Sequence, residues 1–277
     1  MSHRLHLAAV SHCYVEGKCA IKDIDLAIDQ GEQVALIGPS GAGKTTLLHT
    51  LALALEPTRG TFTWGANNPW AMASRARHQL RANSFLAPQQ PPLPPRQRVV
   101  HAVLAARLTR AGAWPALRSL LTTPAAPDVR EAYTALEAFR LQDKLWLRCD
   151  RLSGGERQRV GLARMLVAAS PVNLLDEPVS SLDPVLGATS LAAVQANATA
   201  RNATRVVSLH DVNLARKRFS RLIGLKDGLL QFDLPTEEVT EERLRELYGA
   251  EFGIAVASFG LPDASASQQS VIVTGCG

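Results

Sequence analysis

The stretch Gly38-Pro39-Ser40-Gly41-Ala42-Gly43-Lys44-Thr45-Thr46 sets three glycines ahead of a lysine and two hydroxyls. It follows a short apolar run and opens a run of helical character. Buried strand, glycine-rich turn and helix, in that order, form the context a phosphate cradle requires. Glycines 38, 41 and 43 let the backbone curl until successive N–H groups point at phosphate oxygens. The first turn of the helix adds its partial positive charge. Lys44 would then reach the β- and γ-phosphates of a nucleotide, and Thr45 would hold Mg²⁺.

A second group lies downstream in Val172-Asn173-Leu174-Leu175-Asp176-Glu177-Pro178. An apolar strand ends in Asp176, a carboxylate suited to the water shell of Mg²⁺. Glu177 follows on the other face, where it could polarise an attacking water. Asn173 is a polar residue in a strand expected to be buried, so it needs a hydrogen-bond partner. Between the two groups, Ser153-Gly154-Gly155 precedes a charged helical run. This is a second place where backbone amides and a helix end could hold a phosphate. A single nucleotide site has no evident use for both.

The order of the signals resolves the redundancy. After the lysine loop come Gln89 behind Phe85-Leu86-Ala87-Pro88, then the Ser153 turn and the Asp176-Glu177 strand end. Ser180-Ser181-Leu182-Asp183-Pro184 and Ser208-Leu209-His210-Asp211 complete the series. The ordered series resembles the ABC-type ATPases and runs from about residue 5 to 232. The resemblance implies an α/β fold: a P-loop NTPase (RecA-like) core, an N-terminal antiparallel β-subdomain and an inserted α-helical subdomain. It implies that two copies pack head to tail, the P-loop of one and the Ser153 turn of the other clamping one ATP.

The same resemblance assigns roles. ATP would lie on Gly38 through Thr46, meaning Pro39, Ser40, Ala42 and Thr46 beside the glycines, Lys44 and Thr45. Ser153, Gly154 and Gly155 would meet the γ-phosphate of the partner's ATP. Glu177 would act on water, with His210 and Gln89 beside the γ-phosphate. Thr45, Gln89 and Asp176 would serve Mg²⁺. Asp183 would stand in the loop crossing the dimer interface. Tyr14 is the candidate for stacking on adenine, with Val15 as the alternative.

These residues need elements to hold them. The opening residues alternate apolar and polar around a turn at Glu16-Gly17, which suggests two or three antiparallel strands. Strands are expected at 33–38, 61–65, 172–176 and 205–209, with a final pair around 222–232. Helices are expected at 45–55, 69–83, 153–169 and about 185–199. The alternation predicts a parallel sheet covered by helices. Residues 97 to 149 read as a helical insertion broken by Pro115 and by Thr122-Thr123-Pro124. Thr240 should cap a last helix stopped by Gly249. The nucleotide-binding domain then spans 1–249, with the helical part at about 90–150, and 250–277 form a poorly ordered tail.

Composition narrows the class. The chain has 277 residues, a net charge of +5 and 46% hydrophobic residues. There is no apolar run near the roughly 18 residues a membrane span needs. The N-terminus is too short in apolar residues for a secretory signal, so a cytoplasmic protein is expected. Cys13, Cys19, Cys149 and Cys276 show no metal spacing and are expected to be unpaired thiols in a reducing compartment. Arginines concentrate between Arg75 and Arg118, without any nucleic-acid motif, so no nucleic acid is expected as a partner.

An ABC-type ATPase of this kind implies membrane-spanning permease subunits and, through them, a solute-binding protein. Its place would be peripheral, on the cytoplasmic face of the inner membrane. The linker at 103–121 and the ending with Gly224-Leu225-Lys226-Asp227-Gly228 and Leu247-Tyr248-Gly249 resemble ATP-binding subunits of phosphonate importers. Leu234 departs from that pattern, standing where glycine is common, and the tail beyond Glu251 is this chain's own. An importer of phosphate, phosphite or an amino acid is the alternative in the same class. A soluble ABC ATPase acting on DNA or ribosomes is disfavoured, since the insertion is too short for a coiled coil and only one ATPase domain is present.

Overall fold

The structure is a computed structural model and describes residues 3–14, 17–108 and 124–253. Strand β3 (Gln33–Ile37) is the centre of the molecule. Val34 through Ile37 are fully buried, as a continuous apolar run predicts for a strand covered on both faces. It lies between β7 (Thr204–Ser208) and β8 (Arg221–Lys226), parallel to both. With β5 (Ser84–Ala87), β6 (Val172–Asp176) and β9 (Leu229–Pro235) it forms a six-stranded sheet in the order β5-β6-β7-β3-β8-β9. Only β9 in this sheet runs antiparallel.

The second sheet is antiparallel, with β1 (Leu5–Cys13) between β2 (Cys19–Ile28) and β4 (Arg59–Trp64). Leu5 and Leu7 alternate inward, then the register shifts between Leu7 and Val10. Ala9 and Asp23 take positive φ at this bulge. Ser11 Oγ accepts from Asp23 N at 2.9 Å, and Asp25 Oδ1 from Ala9 N at 2.9 Å, so side chains satisfy the displaced backbone.

Between the sheets lie α1 (Lys44–Leu51) and an apolar core of Leu47, Leu48, Leu51, Ile24 and Phe62. The other face of the large sheet meets a core built with α3 (Val99–Leu104), α4 (Ala126–Glu137) and α5 (Gly154–Ala168). The helical segment therefore packs on the sheet that carries the carboxylates. The basic helix expected at 69–83 is a 3₁₀ turn followed by α2 (Ser74–Arg81). Helix α6 (Pro184–Ala200) agrees with expectation, while α7 (Val212–Arg218) was not foreseen.

Several expectations change. Helix α1 ends at Leu51, four residues early, because Leu53 turns to φ 57° and is buried there. Cys13 and Cys19 are not unpaired thiols: they face each other in the β1–β2 register and form a disulfide. Cys149 is free and buried. A 3₁₀ turn covers Gly249–Glu251, and Phe252 packs on the core. Residues 254–277, Cys276, Pro115 and most of the 103–121 linker lie outside the described residues, as do Val15 and Glu16.

Candidate functional site

The glycine loop leaves the end of β3 and wraps the start of α1. Gly38 has φ 147°, and a Cβ there would meet Leu225 O at 2.0 Å. Gly43, the N-cap of α1, has φ 103°, and a Cβ there would meet Ala20 O at 2.3 Å. Both conformation and space demand glycine at these two positions. The loop is braced from the C-terminal part of the chain. Gly228 N donates to Ala42 O at 3.1 Å, and Gly38 N donates to the buried Tyr248 hydroxyl at 3.1 Å. These contacts give a physical reason for the Gly224–Gly228 turn and for Tyr248 at the end of α8 (Glu241–Tyr248). Burial in turn raises the pKa of the Tyr248 phenol well above that of free tyrosine, which keeps it neutral.

Lys44 is buried, and its Nζ donates to Gly38 O at 2.7 Å and Pro39 O at 2.9 Å. Among the described residues it has no carboxylate ion-pair partner. Burial lowers its pKa, and the nearby charges of Glu177 and Asp176 oppose that shift. Ser40 and Gly41 are exposed at the rim of the loop. A buried cation in a ring of backbone groups is suited to a polyanion.

Thr45 Oγ1 donates to Asp176 Oδ2 at 2.7 Å, joining the loop to the end of β6. Ser208 Oγ, at the end of neighbouring β7, donates to Asp176 Oδ1 at 2.6 Å and accepts from Glu177 N at 2.8 Å. The parallel register that pairs Asp176 with Ser208 fixes this arrangement. Glu177 itself sits at φ 46°, and its two carboxylate oxygens are divided between neighbours. Gln89 Nε2 donates to Oε2 at 2.8 Å, and His210 Nε2 contacts Oε1. The His210 hydrogen bond is the main reason the Glu177 carboxyl is held below its ordinary range, against the opposing effect of burial.

Asp183 caps α6, its Oδ1 accepting from Leu186 N at 2.9 Å. It lines a cavity of about 390 Å³ together with Glu177, Ser180 and His210. Tyr14 is half exposed and its hydroxyl lies 3.3 Å from Thr46 Oγ1, beside the loop. Its ring meets His12 edge-on at 5.0 Å. The structure thus brings Gly38 through Thr46, Gln89, Asp176, Glu177 and His210 into one constellation, with Tyr14 and Asp183 at its borders.

Ser153, Gly154 and Gly155 belong to another surface, the N-terminus of α5. There Ser153 Oγ accepts from Glu156 N at 3.2 Å, and Glu156 Oε2 accepts from Ser153 N at 2.8 Å. This capping box leaves the first-turn amides of Gly154 and Gly155 at the helix end. The turn is separate in the fold from the glycine loop, so the chain carries two phosphate-type amide clusters on different elements.

Sequence reasoning missed the roles of three polar residues here. Ser208 was detectable as a hydroxyl ending a buried strand level with Asp176. Gln158, buried in α5, stands in the charged run behind the Ser153 turn, but nothing in that run marks the partners of its amide. Tyr248 was noticed as part of a terminal pattern without a reason for its hydroxyl. Asn173 is half satisfied: its Nδ2 donates to Ser170 O at 3.2 Å.

Comparison with known proteins gives the arrangement its relatives. The family described as ABC transporter matches residues 21–180. The "Phosphonates import ATP-binding protein PhnC" of Polaromonas sp. is 50% identical over 254 residues, covering 90% of this chain and 91% of the relative. "Phosphonates import ATP-binding protein PhnC 1" of Pseudomonas aeruginosa is 48% identical over 247 residues, covering 89% and 91%. Among solved structures, the dimeric bacterial ABC transporter cassette MJ0796 superposes with a TM-score of 0.75 at 26% identity, covering 84% of this chain and 98% of that one. The same cassette in a dimeric post-hydrolysis state bound to ADP and Pi gives a TM-score of 0.73 at 26% identity, with the same coverage. The ordered motifs, the two-sheet fold and these relatives agree: the chain belongs to the ABC transporter family.

Proposed function

We propose that this chain is the ATP-binding, ATP-hydrolysing subunit of an importer that carries phosphonates across the cytoplasmic membrane. The observation that carries the reading is near-half identity, over about nine-tenths of the chain, to proteins named for phosphonate import in different organisms. The C-terminal braces on the glycine loop support it, since they use the two features that resemble such subunits.

The residues fit ATP. Lys44 is a buried cation without a carboxylate partner among the described residues, set in a loop of inward-curling backbone. They also fit Mg²⁺, since Thr45 and the buried Asp176 bring hard oxygen donors together beside the loop, and Asp176 has no ion-pair partner among the described residues. Bound Mg²⁺ would neutralise charge on the phosphates. In the chain's own part of the reaction, Glu177 holds and accepts the proton of the attacking water. His210 and Gln89 orient that carboxylate. Tyr14 takes the base, and Asp183 faces the partner copy.

The separation of the two amide clusters supports composite pockets. The glycine loop of one copy and the Ser153 turn of a second would clamp each ATP, as an isologous, two-fold dimer allows. The described residues hold no helix long and apolar enough to cross a membrane, so permease subunits would supply the path and hold the ATPase at the inner face. A cavity of about 420 Å³ beside Gln89, lined by His49, Phe85, Pro88, Pro91 and Arg164, offers a seat for a short permease helix. A solute-binding protein would act only through the permease.

Deleting the gene tests the cargo. Growth on a phosphonate as sole phosphorus source should stop, and growth on phosphate should continue. Unimpaired growth on phosphonate, in a strain with no second importer, would overturn the assignment.

A further inference from the structure

Gln158 lies in the second turn of α5, the helix whose first turn carries Gly154 and Gly155. It is 5% exposed, and both ends of its amide are engaged. Nε2 donates to Ser180 Oγ at 2.9 Å and lies 3.4 Å from both Gln89 O and Glu177 O. Oε1 accepts from Ser181 N at 3.0 Å. One side chain therefore ties α5 to the glutamine loop, to the backbone of the Asp176-Glu177 strand end, and to the turn that leads to Asp183.

None of these bonds caps the helix or fills an apolar core. On the composite-pocket reading, on which this inference rests, the tied segments serve different nucleotides. Gln89 and Glu177 act on the ATP in their own glycine loop, whereas the α5 terminus meets the ATP of the second copy. Gln158 spans that division within one chain.

We propose that Gln158 is a positioning residue that couples the two nucleotide sites of the dimer. When the α5 terminus engages the partner's γ-phosphate, the amide passes the position of the helix to the Glu177 backbone and the Ser180–Ser181 turn. Each site then becomes competent only as the other fills, and coupling of this kind appears as cooperativity. The amide suits the task because it donates and accepts at once. A carboxylate keeps the bond from Ser181 N but opposes the carbonyls of Gln89 and Glu177.

The test compares wild type, Gln158→Glu and Ser180→Ala by ATP turnover against ATP concentration, with ATP affinity and melting temperature measured alongside. Ser180 is exposed, so Ser180→Ala removes the acceptor of Nε2 with little risk to folding. The wild-type Hill coefficient should exceed 1. Gln158→Glu should bring it to about 1 and lower kcat roughly tenfold or more, with the Kd for ATP held within about twofold. Ser180→Ala should move both quantities in the same direction by less. A purely structural residue would lower the melting temperature without touching cooperativity. Wild-type turnover without cooperativity, or full cooperativity in Ser180→Ala and in folded Gln158→Glu, overturns the coupling. Glu177→Gln protein that stays monomeric at saturating ATP overturns the composite pocket beneath it, so the two failures are distinguishable.

Discussion

Glu177 carries the proposed hydrolytic reading, and its neighbours fix where its carboxylate lies. Its positive φ turns the side chain away from the Asp176 face, and Ser208 secures the backbone N–H in that turn. His210 and Gln89 hold the two oxygens. Because its folded pKa is depressed, the stability Glu177 contributes is present above its ordinary value of 4.5 and is lost as pH falls through the lower folded value. At neutral pH the group is ionised and able to accept a proton. Glu177→Gln should cut hydrolysis by about 10²–10⁴-fold, the usual span for a general base, while ATP binding persists in equilibrium dialysis. Lys44→Ala should weaken ATP binding by about 1.5–3 kcal/mol, roughly ten- to a hundredfold in Kd by titration calorimetry. Gln89, His210 and Asp183 were legible in the sequence only through their place in an ordered series. A glutamine in a proline-rich loop or a histidine after a strand has no individual signature. Ser208 and Gln158 stand within the series, but their roles arise from register and from a helix face, which the order of motifs does not encode.

At the scale of elements, local chemistry and tertiary contact divide the explanation. Helix α8 was legible in full: Thr240 accepts from Arg243 N, acids fill the first turn, and Gly249 ends it. Thr240→Ala should remove a cap worth about 1 kcal/mol. Calorimetry should then show a melting point lowered by about 2–4 °C with ATP affinity unchanged. Tyr248→Phe differs, because it strands the buried Gly38 N–H inside the fold. It should cost about 1–3 kcal/mol in denaturant unfolding and also weaken ATP binding through the loosened loop. The early end of α1 was not legible, since Leu51 through Leu55 are helix formers and only burial of the turning chain stops them. The bulge in β1 was hidden for a related reason: Ser11, Asp23 and Asp25 look like surface polars until their backbone partners are known. The Cys13–Cys19 bond had a signal that went unread, two cysteines placed symmetrically about a predicted hairpin turn. The short α7 had one too, in Asp211, whose Oδ1 caps it by accepting from Leu214 N at 2.8 Å.

For the whole molecule, the sequence order of motifs was enough for the fold class, because each motif comes with its own strand or helix. What order cannot supply is the meaning of distance between the two amide clusters. The structure sets the glycine loop at the centre of the large sheet and the Ser153 turn at the end of a helix on the sheet's helical face. On the proposed reading, composite pockets between two copies would turn that separation into a mechanism. Retained ATP in tethered dimers tests this most directly, with Glu177→Gln in both halves so that nucleotide is held. Gly154 suits the design, since a Cβ there meets nothing within 4 Å and Gly154→Asp places a charge at the helix end without disturbing packing. With Lys44→Ala in one half and Gly154→Asp in the other, the account predicts one whole pocket and about one retained ATP per dimer. With both substitutions in one half and neither in its mate, it predicts none. The opposite pattern, ATP retained only when both substitutions share a half, would place each pocket within a single chain and contradict the account.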